Sequence, residues 1–283
     1  MNRLSTGRPL ACVWRMWSLV LIVILASAPL HAGEDDDLLN LDSGSLVLSA
    51  TTQYGGRWNA QALVDGSNLT GWSSAKGYPY PNEFLIELPR RCVLASFVVD
   101  NTGAEESDFP GISSRHFALY GSATSNHEVM DLILSGEAEK GKRKVFTIEK
   151  PTEVHWLKLA ILSNWGNTSH TQLMELEGYG QVLDALPQEK PIQGIYSSNY
   201  GLMRLEQSGT YVVGCYEADN GLLSGRTNGR LLKFRWWEDG PNGGTAFMVL
   251  STDGDHLNGL RYERGLMKGS WYGSRVTDRQ GPN

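Results

Sequence analysis

From Ala62 to Trp72 the chain reads Ala-Leu-Val-Asp-Gly-Ser-Asn-Leu-Thr-Gly-Trp, a polar turn rich in oxygen donors between an apolar approach and a core-type Trp. Asp65 offers a carboxylate and Thr70 a hydroxyl. Gly66 lets the backbone fold back so that carbonyls face inward, which is how a hard cation such as calcium collects oxygens at short range. The same residues also make an ordinary Asp-Gly turn.

Other groups with chemical potential do not assemble into catalytic patterns. Gly136 to Gly141-Lys142-Arg143 has the glycine and lysine spacing of a phosphate loop. However, Arg143 stands where Ser or Thr is needed, and Val145 to Ile148 reads as a strand, which makes the segment a charged hairpin turn. Asp253-Gly254-Asp255 falls between two strand-like runs and reads as a turn. His116, His127, His155, His170 and His256 show no paired zinc spacing. Glu105 and Glu106 are adjacent, so on a strand they point apart. No nucleophile elbow or zinc-protease helix motif is present, and the sequence carries no signature of an enzyme.

The elements that must position these residues are strands. Phe84, Ile86 and Leu88 alternate with Leu85 and Glu87, while His155, Leu157, Leu159 and Ile161 alternate with Trp156 and Lys158; Cys92 to Val99 is a longer apolar run. With 283 residues the chain is long enough for one large or two small domains, and 41% hydrophobic residues with 32 Gly favour globular cores of many strands and tight turns. Residues 182–192 include Pro187 and Pro191, lack a β pattern and predict a linker. Beyond it, eight short runs from Ile195 to Arg275 are separated by the hairpin signals Ser208-Gly209, Asn220-Gly221, Asn228-Gly229 and Asp253-Gly254. Residues 193–280 are therefore expected to form a small antiparallel up-and-down β-barrel that folds independently of the first half. Tyr196, Tyr211, Tyr216, Trp236, Trp237, Tyr262 and Trp271 are expected in its core.

Residues 1–32 read as a secretory signal peptide, with Arg3, Arg8 and Arg15 before an apolar run from Trp17 to Ala28 and a small residue at Ala32. Their removal takes the formal charge from −6 to −9, because three arginines leave and no acid does. The acidic mature chain offers no electrostatic basis for binding nucleic acid. It is expected to be secreted or periplasmic. After processing, Cys92 and Cys215 remain, one in each half, and both are expected as buried free thiols.

The Ala62–Trp72 turn, the loop Ser163-Asn164-Trp165-Gly166 and the closing stretch Leu173-Met174-Glu175-Leu176-Glu177-Gly178-Tyr179-Gly180 together resemble the discoidin module, also called the coagulation-factor type C or galactose-binding-like domain. The resemblance covers residues 41–181 and implies a jelly-roll β-sandwich. It also implies one structural calcium, held by the carboxylates of Asp65 and Glu175, the hydroxyl and carbonyl of Thr70, and carbonyls of Ala62 and Ser67. Cysteines that clamp the two ends of animal discoidin domains are missing here, as in the bacterial sugar-binding branch. In the second half, Gly194-Ile195-Tyr196, Tyr200-Gly201 and Val213-Gly214-Cys215-Tyr216 are distantly similar to avidin-like and lipocalin-like barrels, and no ligand residue carries over.

The expected function is carbohydrate or glycoconjugate binding without catalysis. A sugar site needs aromatic faces for the apolar side of the ring and amides or Arg for its hydroxyls. Loop candidates are Arg57, Tyr78, Tyr80, Phe109, Asn164 and Trp165, joined by Tyr54 and Trp58. Packing of the loop bases is the alternative role for Trp58 and Trp165. Adhesion to another protein or to a cell-envelope component through the same loops, or through the barrel, is the alternative function. An enzyme site in the barrel is a third.

Overall fold

Alternation between apolar and polar residues becomes a set of antiparallel strands with the apolar face inward, as the sequence implies. The computed structural model describes residues 36–124, 129–184 and 190–276. The expected leader, residues 1–32, the middle of the 182–192 segment and the end of the 193–280 segment lie outside the described residues.

The first half contains β1 (Leu46–Ala50), β2 (Trp72–Ser73), β3 (Asn82–Asp100), β4 (His116–Ser122), β5 (Asp131–Glu137), β6 (Arg143–Ile161), β7 (Gln172–Leu173) and β8 (Glu175–Val182). The main sheet runs β1-β3-β6-β4-β5, with β8 also paired to β3; β2 and β7 form a separate two-stranded ribbon. Both β3 and β6 are 19 residues long. Register shifts between Glu87 and Cys92 and between Leu94 and Ser96 let β3 turn from β1 toward β8. Phe84, Ile86, Leu88, Leu157, Leu159 and Ile161 line the core, and Trp72 packs edge-on against Phe84 at 4.9 Å while its indole N–H donates to the Thr52 carbonyl.

The second half contains β9 (Gly194–Ser198), β10 (Gly201–Ser208), β11 (Tyr211–Tyr216), β12 (Gly221–Asn228), β13 (Leu231–Trp237), β14 (Gly243–Leu250), β15 (His256–Glu263) and β16 (Leu266–Arg275). They form a closed antiparallel barrel in which β16 returns to β9. All four hairpin signals sit at strand junctions, with Ser208, Gly221 and Asn228 as terminal strand residues. Gly209 and Gly229 take left-handed φ values of 59° and 61°, the conformation tight hairpins need. The interior is filled by side chains that include Tyr196, Tyr216, Trp236 and Trp271.

Three expected core aromatics lie elsewhere. Tyr211 and Trp237 fall on the outer phase of their strands and are exposed, and Tyr262 packs against the sandwich. Cys92 is buried, and burial pushes its thiol up to about 12. Cys215 is exposed because it occupies the outer phase of β11 between buried Val212 and Tyr216, which corrects the expectation of two buried thiols.

The two halves share a core. Leu231, Val249 and Leu260 turn outward from the barrel into the cluster formed by the sandwich, with Phe247, Tyr262 and Met267 at its margin. Glu87 breaks the apolar expectation for a buried strand position because it reaches across the junction. It accepts from Arg230 Nη2 at 2.5 Å, from the Thr252 amide at 3.1 Å and from the Thr252 hydroxyl. The described residues from 36 to 276 belong to one compact unit.

Candidate functional site

Four connected segments build one end of the sandwich. Tyr54 N–H donates to the Ser73 carbonyl, Gly77 N–H to Ser169, Trp165 N–H to Ser113 and Asn167 N–H to Gly111. Asn164 holds the last segment together. Its amide donates to the carbonyls of Asn167 and His170 and to Thr171 Oγ1, and its side-chain oxygen accepts from Gly166 N–H. Thr171 Oγ1 also lies 2.6 Å from the Tyr80 hydroxyl.

On this scaffold the His170 ring stands between Tyr54 and Phe109, with centroids at 5.5 and 6.4 Å and edge-to-face planes in both cases. Tyr54 is 63% exposed and Phe109 41%, so the cluster presents ring surface to solvent. Tyr78 and Tyr80 are exposed to a similar degree on the adjoining segment. Arg57 stacks at 4.5 Å over Trp58 and pairs with Glu105 at 2.8 Å, and the Gln172 amide fixes the other oxygen of Glu105. The arrangement gives aromatic faces for apolar ring surfaces beside polar groups anchored in fixed orientations.

The sequence candidates therefore divide into two kinds. Tyr78, Tyr80, Phe109 and Arg57 present surface, whereas Asn164 spends its amide inside its own loop. Trp165 is half-buried under the Arg115 guanidinium at 4.4 Å, with its indole nitrogen enclosed and unpaired. His170 was read only for zinc spacing, and its role as the ring that joins Tyr54 to Phe109 was missed. The signal available was its place beside Thr171, on the loop that also carries Asn164.

The oxygen-rich turn is a separate cluster, joined to the Arg57–Trp58 segment by a bridge between Trp58 and Gly71. A 3₁₀ turn, Ala60–Val64, is capped at its start by the Asn59 side chain and ends at Asp65. Asp65 accepts from Thr70 Oγ1 at 2.8 Å and from Ser67 N–H at 3.0 Å. Glu175, at the start of β8, accepts from the amides of Gly66 and Ser67 at 3.2 and 3.3 Å, while the Ser67 carbonyl accepts from Thr70 Oγ1. Burial raises Asp65 to about 6. Burial raises Glu175 to about 10, with Asp65 and Asp37 adding like charge. The two enclosed carboxylates, the Thr70 hydroxyl and the Ser67 carbonyl are hard oxygens of the type calcium takes, while the backbone of Gly66 and Ser67 turns its N–H groups toward Glu175. Among the described residues no group of three or more His, Cys, Asp or Glu is arranged around a common metal position.

Residues 77–182 match the family described as Sad1 / UNC-like C-terminal. No curated protein matches the chain. Solved structures similar to the first half include the CBM32-3 module of a family 31 glycoside hydrolase from Clostridium perfringens, 18% identical over 49% of this chain and 92% of that one, with a TM-score of 0.43. The family 32 carbohydrate-binding module of Streptococcus pneumoniae EndoD is 19% identical over 52% of this chain and 100% of that one, at a TM-score of 0.43. Allantoicase from Saccharomyces cerevisiae is 16% identical over 51% of this chain and 43% of that one, at 0.42. The first half is an antiparallel β-sandwich in which residues 77–182 are similar to the Sad1/UNC-like C-terminal family, and it is followed by a closed eight-stranded barrel.

Proposed function

We propose that this is a secreted or periplasmic, non-catalytic carbohydrate-binding protein whose discoidin-like domain holds sugar at the loop end and is stabilised by calcium. The observation that carries the reading is the exposed Tyr54–His170–Phe109 cluster, held by loops whose polar groups are already ordered. Exposed rings on a rigid scaffold cost little to order on binding and match the C–H face of a pyranose. The double substitution Tyr54→Ala/Phe109→Ala is expected to weaken binding of an array-identified neutral oligosaccharide at least tenfold in calorimetry, with little change in melting temperature because both rings face solvent. Undiminished affinity in that variant rejects the site.

Calcium would be held by Asp65 and Glu175 with Thr70 and the carbonyls of Ala62 and Ser67, and it would supply positive charge to two enclosed carboxylates. Extracellular calcium sites commonly have dissociation constants of about 10⁻⁴ to 10⁻³ M, so millimolar calcium is expected to stabilise the chain by about 1 kcal/mol. Thermal denaturation of the purified protein with calcium and then with excess chelator measures this. A melting temperature that chelator does not move argues against the ion, and Asp65→Asn should remove the calcium response. An envelope-associated interaction partner is the second reading, and a glycan array without hits alongside retention on envelope fractions would favour it.

A further inference from the structure

A groove of about 760 Å³ runs between the sandwich and the barrel, inside the range of roughly 300–1,000 Å³ typical of ligand sites. One wall is β1 and its continuation through Gln53; the other is formed by the ends of β15 and β16. It is separate from the loop-end cluster, and neither Phe109 nor His170 lines it.

Three observations describe what this groove would take. No Lys or Arg lines it, and its acids are already engaged: Glu87 pairs with Arg230, and Asp253 accepts from the Ser251 hydroxyl and the Asp255 amide. His256 is the one basic side chain on the lining, and its Nδ1 lies 3.2 Å from Ser274 Oγ, so an anionic ligand would find no permanent cation there. Gln61, on the 3₁₀ turn Ala60–Val64, contributes to the lining while 2% exposed, and neither its amide nitrogen nor its amide oxygen has a partner. A buried primary amide with donor and acceptor both unspent is costly to keep, and it matches a pair of neighbouring hydroxyls, one accepting and one donating. Tyr272, half-exposed on β16, adds an aromatic face to the same wall, with Ser270, two residues earlier on the strand, also on the lining.

The edge of β1 also invites a peptide strand, but the Val47 carbonyl already accepts from the Asn258 side chain at 3.0 Å, which occupies an outward position on that edge. We propose that the groove is a second ligand site, for an uncharged, hydroxyl-rich glycan segment, with Gln61 pairing to hydroxyls and Tyr272 stacking on a sugar face. This inference stands independently of the loop-end reading. If both hold, the chain carries two sugar sites on one rigid body and gains avidity for multivalent glycans.

The test uses the full chain carrying Tyr54→Ala/Phe109→Ala, so that the loop end is disabled. It is titrated with neutral tri- and tetrasaccharides built from glucose, galactose and N-acetylglucosamine, with a sialylated trisaccharide and an uncharged octapeptide as comparisons. At least one neutral sugar is expected to bind saturably. Adding Gln61→Leu or Tyr272→Ala should weaken it tenfold or more, and Gln61→Leu should at the same time raise the melting temperature by removing the unpaired amide. Tyr272 is half-exposed, so its alanine variant tests binding without relying on the buried position. Absence of neutral-sugar binding in this background, binding indifferent to both substitutions, or preference for the sialylated sugar or the peptide would each overturn the proposal. Loss of all binding in the wild-type chain on Tyr54→Ala/Phe109→Ala supports the loop end while removing the groove.

Discussion

Arg230→Ala is expected to lower the stability of the whole chain by about 3 to 5 kcal/mol, because it leaves the Glu87 carboxylate enclosed without its cation. Glu87 is 1% exposed and Arg230 8%, and burial pulls the guanidinium down from its ordinary range while Glu87 holds it up. The pair need not stabilise the fold relative to an apolar pair, since desolvating two charges offsets much of their attraction. Glu87→Leu/Arg230→Met should therefore regain most of what either single alanine loses. Denaturant titrations of the two single variants and the double variant form the required cycle. A single-variant loss below 1 kcal/mol would mean that water reaches the pair and that the junction is open in solution.

Trp271→Ala is expected to cost about 3 to 5 kcal/mol as well, by emptying the centre of the barrel. The ring is fully buried and meets Tyr200, Tyr216 and Phe234 at 4.8, 4.9 and 5.2 Å. Its indole N–H is enclosed without a partner, so Trp271→Phe trades lost volume against removal of an unpaired donor and should cost clearly less. Leu231, Val249 and Leu260 belong to the sandwich cluster, so the alanine variant is expected to unfold in one transition observed by probes in both halves. A barrel transition that moves while the sandwich transition stays in place would restore the two independently folding halves expected from sequence.

The eight barrel strands were legible because Gly-containing turns interrupt each run and the apolar phase is plain in pairs such as Phe234 and Trp236. The junction was not, although it left a trace. Leu231-Leu232 and Met248-Val249-Leu250 are apolar on consecutive positions, so both faces of those strands are covered, one by the barrel interior and one by the sandwich. Assigning that second face requires knowing what packs on it, and no local pattern states this. Glu87 was equally opaque, since a carboxylate between Ile86 and Leu88 reads as solvent-facing until its partner 143 residues away is placed. At the loop end, residue type located the exposed aromatics Tyr78, Tyr80 and Phe109, but Asn164 and Trp165 have the composition of a sugar site and the contacts of a scaffold. That distinction depends on which hydrogen bonds and ring faces the fold itself consumes.

Amide chemical-shift mapping on the full chain tests the central claim most directly, with a neutral oligosaccharide chosen from a glycan array and added to saturation. The account predicts a contiguous set of shifted resonances in residues 54–58, 77–80, 109–111 and 164–171, lost in Tyr54→Ala/Phe109→Ala. Saturating sugar that leaves those four segments unmoved would contradict it.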